Sequence, residues 1–241
     1  MQFFFAENTE SDIFQLSEEE SAHCIRVLRK AVGDTLHVVD GHGTLCVCTI
    51  LEAHPKHCTV QVVERQSGYG RRPFALHLAV APTKNAARLE WLVEKAVEMG
   101  VESITPIVCQ HSERCVMKRE RLDKIAISAM KQSLKAFLPI IHDPTPLADL
   151  LDEAHQSASL NHHSTQRFIA YCDGDHRTPL RDAYTPGSDA LILIGPEGDF
   201  SPDEVHHALA AGFVPVTLGT SRLRTETAAL AAIAFLNLYS N

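Results

Sequence analysis

Two short apolar strands in the last third of the chain, each followed by a glycine-containing turn and a helix, constrain the fold more than any other feature. The first turn is Gly195-Pro196-Glu197-Gly198, and the second runs from Leu218-Gly219 to Arg224-Thr225. Glycine permits tight backbone turns and close approach by a ligand. In proteins that alternate strands and helices, ligands bind outside the carboxyl ends of the strands. The sequence therefore predicts a ligand site that both turns build together.

From residue 73 onward, short apolar runs alternate with helical patterns. Strands are predicted at residues 76–81, 104–108, 168–171, 190–194 and 214–218. Helices are predicted at residues 88–99, 119–137 and 147–154. Ser201 followed by Pro202 predicts another helix start, and a last helix, apolar almost all round, is predicted to begin near Thr225. This alternation is typical of an α/β domain with a mainly parallel sheet covered by helices.

The first 70 residues follow a different pattern. Short apolar runs at residues 35–39, 44–51 and 58–63, separated by turn residues, predict a β meander or a small barrel. Ser17, with Glu20 three residues later, predicts the start of a short helix that carries Arg26 and Arg29. Residues 66–73 have the composition of a linker. We therefore expect one domain at residues 1–70 and a second at residues 73–241.

Composition excludes several classes of protein. No apolar run in the 241 residues is long enough to span a bilayer, and the N-terminus lacks the basic start of a signal peptide. Seven cysteines without a Cys-x-x-Cys pair predict reduced thiols and a cytoplasmic location. A metal site is conceivable at Cys46, Cys48, His54, His57 and Cys58. These residues, however, lie closer in sequence than the ligand pairs of ordinary zinc sites do. Packing of small hydrophobic cysteines in a core is therefore favoured over a metal site.

The charge distribution leaves the partner open. The net charge of −8 argues against a nucleic-acid partner. Residues 111–135, however, contain seven Lys or Arg residues against three acidic ones. A basic segment on an acidic protein is typical of a small RNA footprint and equally of a solvated helix face.

The two turns belong to a longer pattern, Gly-Pro-Glu-Gly-x-Phe-Ser-x-x-Glu, an apolar strand, and then Leu-Gly-x-x-x-Leu-Arg-x-Glu-Thr-Ala. This combination resembles the ribosomal small-subunit RNA uridine-N3 methyltransferases of the SPOUT superfamily. Four further segments are similar to motifs of that family: residues 23–29, Lys84 with residues 90–101, residues 112–114, and Gln132-Ser133 with Pro139. The resemblance therefore covers both halves of the chain. It departs at Asp199, where a second glycine is common, and at Leu134-Lys135, where an arginine often follows Gln-Ser.

The resemblance implies an architecture that composition does not reveal. The C-terminal part would be a SPOUT domain threaded into a deep trefoil knot, an exception to the rule that folds are unknotted. The N-terminal part would be a PUA-like β-barrel that binds RNA. The family is dimeric, with the site completed across the interface. Neither a metal nor a membrane is implied.

The resemblance also implies an activity, the methylation of N3 of a uridine in 16S ribosomal RNA within the assembled small subunit. The cofactor would be S-adenosylmethionine, held by Ile194, Gly195, Pro196, Glu197, Gly198, Leu218, Gly219, Leu223 and Thr225. A guanidinium would stabilise the developing uracil anion, so the catalytic candidates are Arg224, Arg222 and Arg114, with Glu226 as a base or as an orienting partner of Arg224. The RNA-binding candidates are Arg26, Arg29, Lys84, Arg88 and Arg121.

The sequence also permits two alternative functions. The first is a non-catalytic RNA-binding ribosome-assembly factor that has kept the fold. Such a protein would be expected to have lost the residues of the pocket, whereas Gly195, Glu197 and Arg224 are all present. An unrelated α/β enzyme with a nucleotide cofactor would need a phosphate-binding glycine loop, and neither turn has the required spacing.

Overall fold

The structure is a computed structural model that describes residues 1–113, 117–158, 165–172 and 177–240. It contains two compact units. The first comprises Met1–Arg71 together with Ala126–Leu138, and the second comprises Arg72–Ile125 and Pro139–Asn241. The second segment of the first unit is a feature that the sequence did not suggest.

The first unit contains a five-stranded sheet around an apolar core. Its strands are β1 (Phe3–Phe5), β2 (Ile13–Gln15), β3 (Thr35–Val39), β4 (Thr44–Glu52) and β5 (Thr59–Ser67). The strand order is β1-β3-β4-β5-β2, in which only the β1–β3 pair is parallel. Helix α1 (Glu18–Ala22) begins as predicted, because the Ser17 hydroxyl accepts a hydrogen bond from the Glu20 amide at 3.2 Å. The helix was expected to carry Arg26 and Arg29, but it ends at Ala22. Arg26 instead lies in a π-helical turn, His23–Val27, and Arg29 follows that turn with a left-handed backbone, φ of 55°.

The segment Ala126–Leu138 joins the first unit through main-chain contacts. The amide of Gly43 donates to the carbonyl of Ala136 at 2.9 Å, and the amide of Leu138 donates to the carbonyl of Gly41 at 2.8 Å. A Cβ on Gly43 would overlap the Phe137 ring, so only glycine fits at that position. These contacts join residues about a hundred positions apart, which explains why local patterns do not reveal them.

Four cysteines lie in the core of the first unit. Cys24, Cys46, Cys48 and Cys58 are buried. Burial raises the pKa of Cys24 and of Cys48 to about 12, so these thiols stay protonated at neutral pH. Within the described part of the chain, no group of three or more His, Cys, Asp or Glu side chains is arranged to hold a metal ion.

The second unit contains a sheet whose described strand pairs are all parallel. The strands are β6 (Leu76–Val80), β7 (Ser103–Val108), β8 (Ile140–Ile141), β9 (Thr145–Pro146), β10 (Gln166–Ala170), β11 (Thr178–Pro179), β12 (Ala190–Ile194) and β13 (Val214–Thr217). The order is β11-β13-β10-β12-β6-β7-β8, and β9 pairs with β7. Strand β10 lies between β12 and β13, so the carboxyl ends of these three strands meet at one edge of the sheet.

Six helices are described with this sheet, and all except the short helix Leu180–Ala183 are predicted from the sequence. They are α2 (Ala86–Glu98), α3 (Arg119–Gln132), α4 (Leu147–Ala158), α5 (Leu180–Ala183), α6 (Pro202–Ala210) and α7 (Thr225–Ser240). Helix α3 ends five residues before the predicted end, because Leu134 adopts a left-handed backbone with φ of 55°. The division between the two units falls inside α3, after Ile125. None of the described helices is both long enough and apolar enough to span a bilayer.

The α/β class and the mainly parallel sheet are thus confirmed. Strand order does not define how the chain is threaded, so the trefoil knot stays a prediction.

Candidate active site

A cavity of about 560 Å³ opens at the carboxyl ends of β10, β12 and β13. Both glycine-containing turns line it, as the sequence predicts. Of the nine predicted cofactor residues, eight lie on its wall: Ile194, Gly195, Pro196, Glu197, Leu218, Gly219, Leu223 and Thr225. The ninth, Gly198, instead lines an adjoining cavity of about 980 Å³. A Cβ on Gly198 would lie 3.1 Å from the Cβ of His111.

The first turn is fixed by packing and by main-chain hydrogen bonds. A Cβ on Gly195 would lie 3.0 Å from the ring of the buried Phe200, so glycine is needed there for close packing. The amide of Asp199 donates to the carbonyl of Pro196 at 2.9 Å and closes the turn. Ser201 and Glu204 then form a reciprocal capping box at the start of α6.

Asp199 ties the first turn to the end of β10. One carboxylate oxygen accepts the amide of Cys172 at 2.7 Å, and the other accepts the amide of Phe200 at 2.8 Å. The backbone of Asp199 is left-handed, with φ of 62°. Its carbonyl oxygen lies 3.0 Å from Nδ1 of His111.

The second turn is more open. Gly219 has φ of 131°, a backbone conformation that favours glycine. The Thr217 hydroxyl donates to the Gly219 carbonyl at 2.9 Å. Arg222 and Arg224 are exposed and line the cavity. The buried Thr225 hydroxyl donates to the carbonyl of Gly195 at 3.0 Å, which joins the second turn directly to the first.

Arg88, on the wall of the cavity, contacts two acidic side chains. Its guanidinium lies 3.5 Å from Oε1 of Glu197 and 3.7 Å from Oε1 of Glu226. Glu226 is 6% exposed, and its Oε2 has no hydrogen-bond partner. The sequence suggested that Arg88 binds RNA and that Glu226 acts as a base or orients Arg224. The structure gives Glu226 an ion pair with Arg88 and places Arg88 on the cavity wall, and the roles of both residues stay predictions.

The remaining predicted residues are distributed over both units. Arg26 and Arg29 are exposed in the first unit. In the second unit, Lys84 lies 2.8 Å from Glu113, which raises the pKa of this lysine, and Arg121 lies 2.6 Å from Glu90. The predicted catalytic residue Arg114 lies outside the described residues.

Sequence reasoning missed the contribution of β10 to the cavity. Ala170, Tyr171 and Cys172, at the end of that strand, line the wall, as does Arg177. Burial, followed by the negative charge of Asp199, raises the pKa of the Cys172 thiol. The available signal was the predicted strand at residues 168–171, because the carboxyl ends of parallel strands share one edge.

Comparison with known proteins gives concordant matches along the chain. A sequence model of an RNA methyltransferase domain matches residues 70–237, and one of an RNA methyltransferase PUA domain matches residues 16–63. Curated relatives from Bacillus subtilis and Aquifex aeolicus are both called ribosomal RNA small subunit methyltransferase E. They are 26% and 27% identical to this chain over 98% of its length, covering 96% and 99% of their own.

Solved structures agree over the full length. A probable rRNA-methyltransferase from Porphyromonas gingivalis is 43% identical, with a TM-score of 0.90 over 100% of this chain and 98% of its own. The ribosomal RNA small subunit methyltransferase E from Neisseria gonorrhoeae, solved bound to S-adenosyl methionine, is 27% identical, with a TM-score of 0.83 over 99% of this chain and 98% of its own. The expected PUA-like N-terminal domain is thereby confirmed. The chain belongs to the RNA methyltransferase family that includes ribosomal RNA small subunit methyltransferase E.

Proposed function

We propose that this protein uses S-adenosylmethionine to methylate N3 of a uridine in 16S ribosomal RNA. The observation that carries the proposal is the cavity walled by both turns at the carboxyl ends of three parallel strands. Family membership supports the reaction class, and the Neisseria gonorrhoeae relative was solved with this cofactor.

The residues of the cavity fit the cofactor. Its volume of about 560 Å³ falls within the range of ordinary ligand sites. Val216, Leu218 and Leu223 offer apolar contact to an adenine, and the turns offer main-chain donors and acceptors. When bound, S-adenosylmethionine supplies an electrophilic methyl group on a positively charged sulfur.

The two turns have different roles in the proposed reaction. The first turn is held by hydrogen bonds, and so it preorganises the geometry of methyl transfer. Arg224, on the exposed second turn, stabilises the negative charge that uracil O2 or O4 gains as N3 loses its proton. Arg222 and Arg114 are the next candidates for this role. Glu226 is buried beside Arg88, which favours a role in positioning that arginine over a role as the base.

RNA binding is proposed for the N-terminal domain, residues 1–70, through Arg26 and Arg29, with the methyltransferase domain at residues 73–241. Lys84 and Arg121 would exchange their carboxylate partners for RNA phosphates. The proposal also includes a trefoil knot and a homodimer that completes the site. The proposed substrate is the assembled small subunit, and the proposed location is cytoplasmic.

The decisive experiment maps N3-methyluridine in 16S ribosomal RNA from cells with and without this protein. One modified position should be absent when the protein is removed and should return when the protein is restored.

A second experiment is calorimetric titration, which should show binding of S-adenosylmethionine and none of NAD or ATP. Retention of every N3-methyluridine would contradict the proposal, and binding of the cofactor without methylation would favour the assembly-factor alternative.

The cofactor placement has its own test, Gly198→Val. The branched side chain would crowd His111 and displace the first turn, so S-adenosylmethionine binding should be lost while the protein stays folded. Unchanged affinity in the titration would exclude this placement.

The RNA-binding role is tested with Arg26→Glu combined with Arg29→Asn, because asparagine tolerates the left-handed backbone of position 29, with φ of 55°. RNA affinity and its salt dependence should both decrease, with cofactor affinity unchanged. Lys56→Glu, an exposed change in the same unit, is the matched control. An unchanged salt dependence in the double variant would remove this surface from RNA binding.

A further inference from the structure

Asp199 places a carboxylate on the wall of the proposed cofactor cavity. Its φ of 62° lies in the left-handed region, which glycine adopts freely and aspartate tolerates better than most residues. The turn can therefore keep a backbone that also suits glycine. The charged side chain is therefore not required by the backbone of the turn.

The carboxylate of Asp199 is held in one orientation. Its two oxygens accept the amides of Cys172 at 2.7 Å and Phe200 at 2.8 Å, one at the end of β10 and one in the first turn. Hydrogen bonds to a charged acceptor are stronger than those between neutral groups. Rotation of the side chain into solvent would break both bonds, so the negative charge stays at the wall.

Among the described residues, two acidic side chains line the wall, and their surroundings differ. Glu197 lies 3.5 Å from the Arg88 guanidinium, which offsets its charge. Asp199 is bonded to neutral main-chain amides. Its charge acts on its neighbours, because it contributes, after burial, to the raised pKa of the Cys172 thiol, with Arg222 opposing it. Asp199 thus provides a fixed negative charge at the cavity.

The proposed cofactor and its product differ mainly in charge. S-adenosylmethionine has a positive sulfur that carries the methyl group. S-adenosylhomocysteine has a neutral thioether without that methyl group, and the rest of the two molecules is the same. A fixed carboxylate at the wall attracts the first more strongly than the second. Building on the proposed function, we propose that Asp199 is a specificity-determining residue that favours the charged methyl donor over the neutral product.

The test is calorimetric titration of the full-length protein with each of the two ligands. Asp199→Gly suits the same backbone and removes the carboxylate, and Asp199→Asn removes the charge but keeps one acceptor oxygen. In both variants the affinity for S-adenosylmethionine should fall about three- to tenfold, with that for S-adenosylhomocysteine nearly constant. Asp203→Asn, an exposed acid in the first turn of α6, is the matched control and should leave the ratio of the affinities unchanged.

The ratio separates a charge effect from a structural one. Equal losses of affinity for both ligands would show that Asp199 only ties the turn to β10, and that result would overturn the inference. If the variants bind both ligands as tightly as the wild-type protein does, the inference would be overturned as well, and the proposed function would stay intact. Failure of the wild-type protein to bind either ligand would instead overturn the cofactor assignment itself.

Discussion

The two turns that wall the cavity are built differently, although the sequence presents them as similar strand-to-helix turns. The first is fixed by the Gly195–Phe200 packing, the Asp199 hydrogen bonds and the Ser201 capping box. The second carries two exposed arginines and is tied down by the hydroxyls of Thr217 and Thr225. The difference suggests a division in which a rigid wall positions the cofactor and an accessible wall meets the RNA.

The strongest test of this division is the replacement of Arg224. Lysine keeps the charge but loses the planar donor geometry, and alanine removes both. Each variant should lower the single-turnover methylation rate by about a hundredfold or more, as expected for loss of a preorganised donor to a developing anion. Melting temperature and cofactor affinity should stay near normal, because the side chain is exposed. Near-normal rates would shift the role to Arg222 or Arg114.

The link between the turns is tested by Thr225→Val. This near-isosteric change removes the hydroxyl that donates to the Gly195 carbonyl at 3.0 Å and leaves that buried acceptor unpaired. A loss of about 1–3 kcal/mol of stability is expected in urea unfolding, together with weaker cofactor binding. Thr227→Val, at an exposed position of the same helix, should have little effect on either measurement. Equal effects of the two variants would contradict a specific link.

The rigidity of the first turn is tested by Ser201→Ala, which removes the capping box of α6. Loss of such a cap costs about 0.5–2 kcal/mol of stability. Ser221→Ala, at an exposed position of the second turn, should change stability by less than about 0.5 kcal/mol. Similar unfolding midpoints for the two variants would show that the turns do not differ in this way.

The smallest expected effect is a pH dependence of folding stability that arises from a histidine in the sheet next to the first turn. His77, on β6 beside β12, has a lowered pKa, mainly because burial disfavours its charged form, with Glu102 and Asp189 opposing. The unfolded chain then binds the proton at higher pH than the folded one, so stability is lost as pH falls below about 6.5. Urea unfolding between pH 7.5 and 5.5 should show a larger loss for the wild type than for His77→Gln. Parallel losses would assign the pH dependence to other groups.

Much of the site was predictable because its chemistry lies in contiguous residues. Glycines after apolar strands, Ser201 before Pro202, and Thr225 at the start of an apolar helix are local signals, and the elements they predict are present. Eight of the nine predicted cofactor residues lie on the cavity wall for the same reason. Sequence alone missed the end of β10, because the neighbour of a strand in a parallel sheet depends on topology.

The sequence by itself determined the alternation of strands and helices, the two turns and the residues that line them, since each depends on the backbone preferences of adjacent residues. Only the tertiary structure decided that β10 lies between β12 and β13 and that Arg88 faces Glu197 and Glu226. It also decided that residues 126–138 pack with the first unit. These contacts join residues far apart in the chain, and their partners are selected by packing and register, which no local pattern encodes.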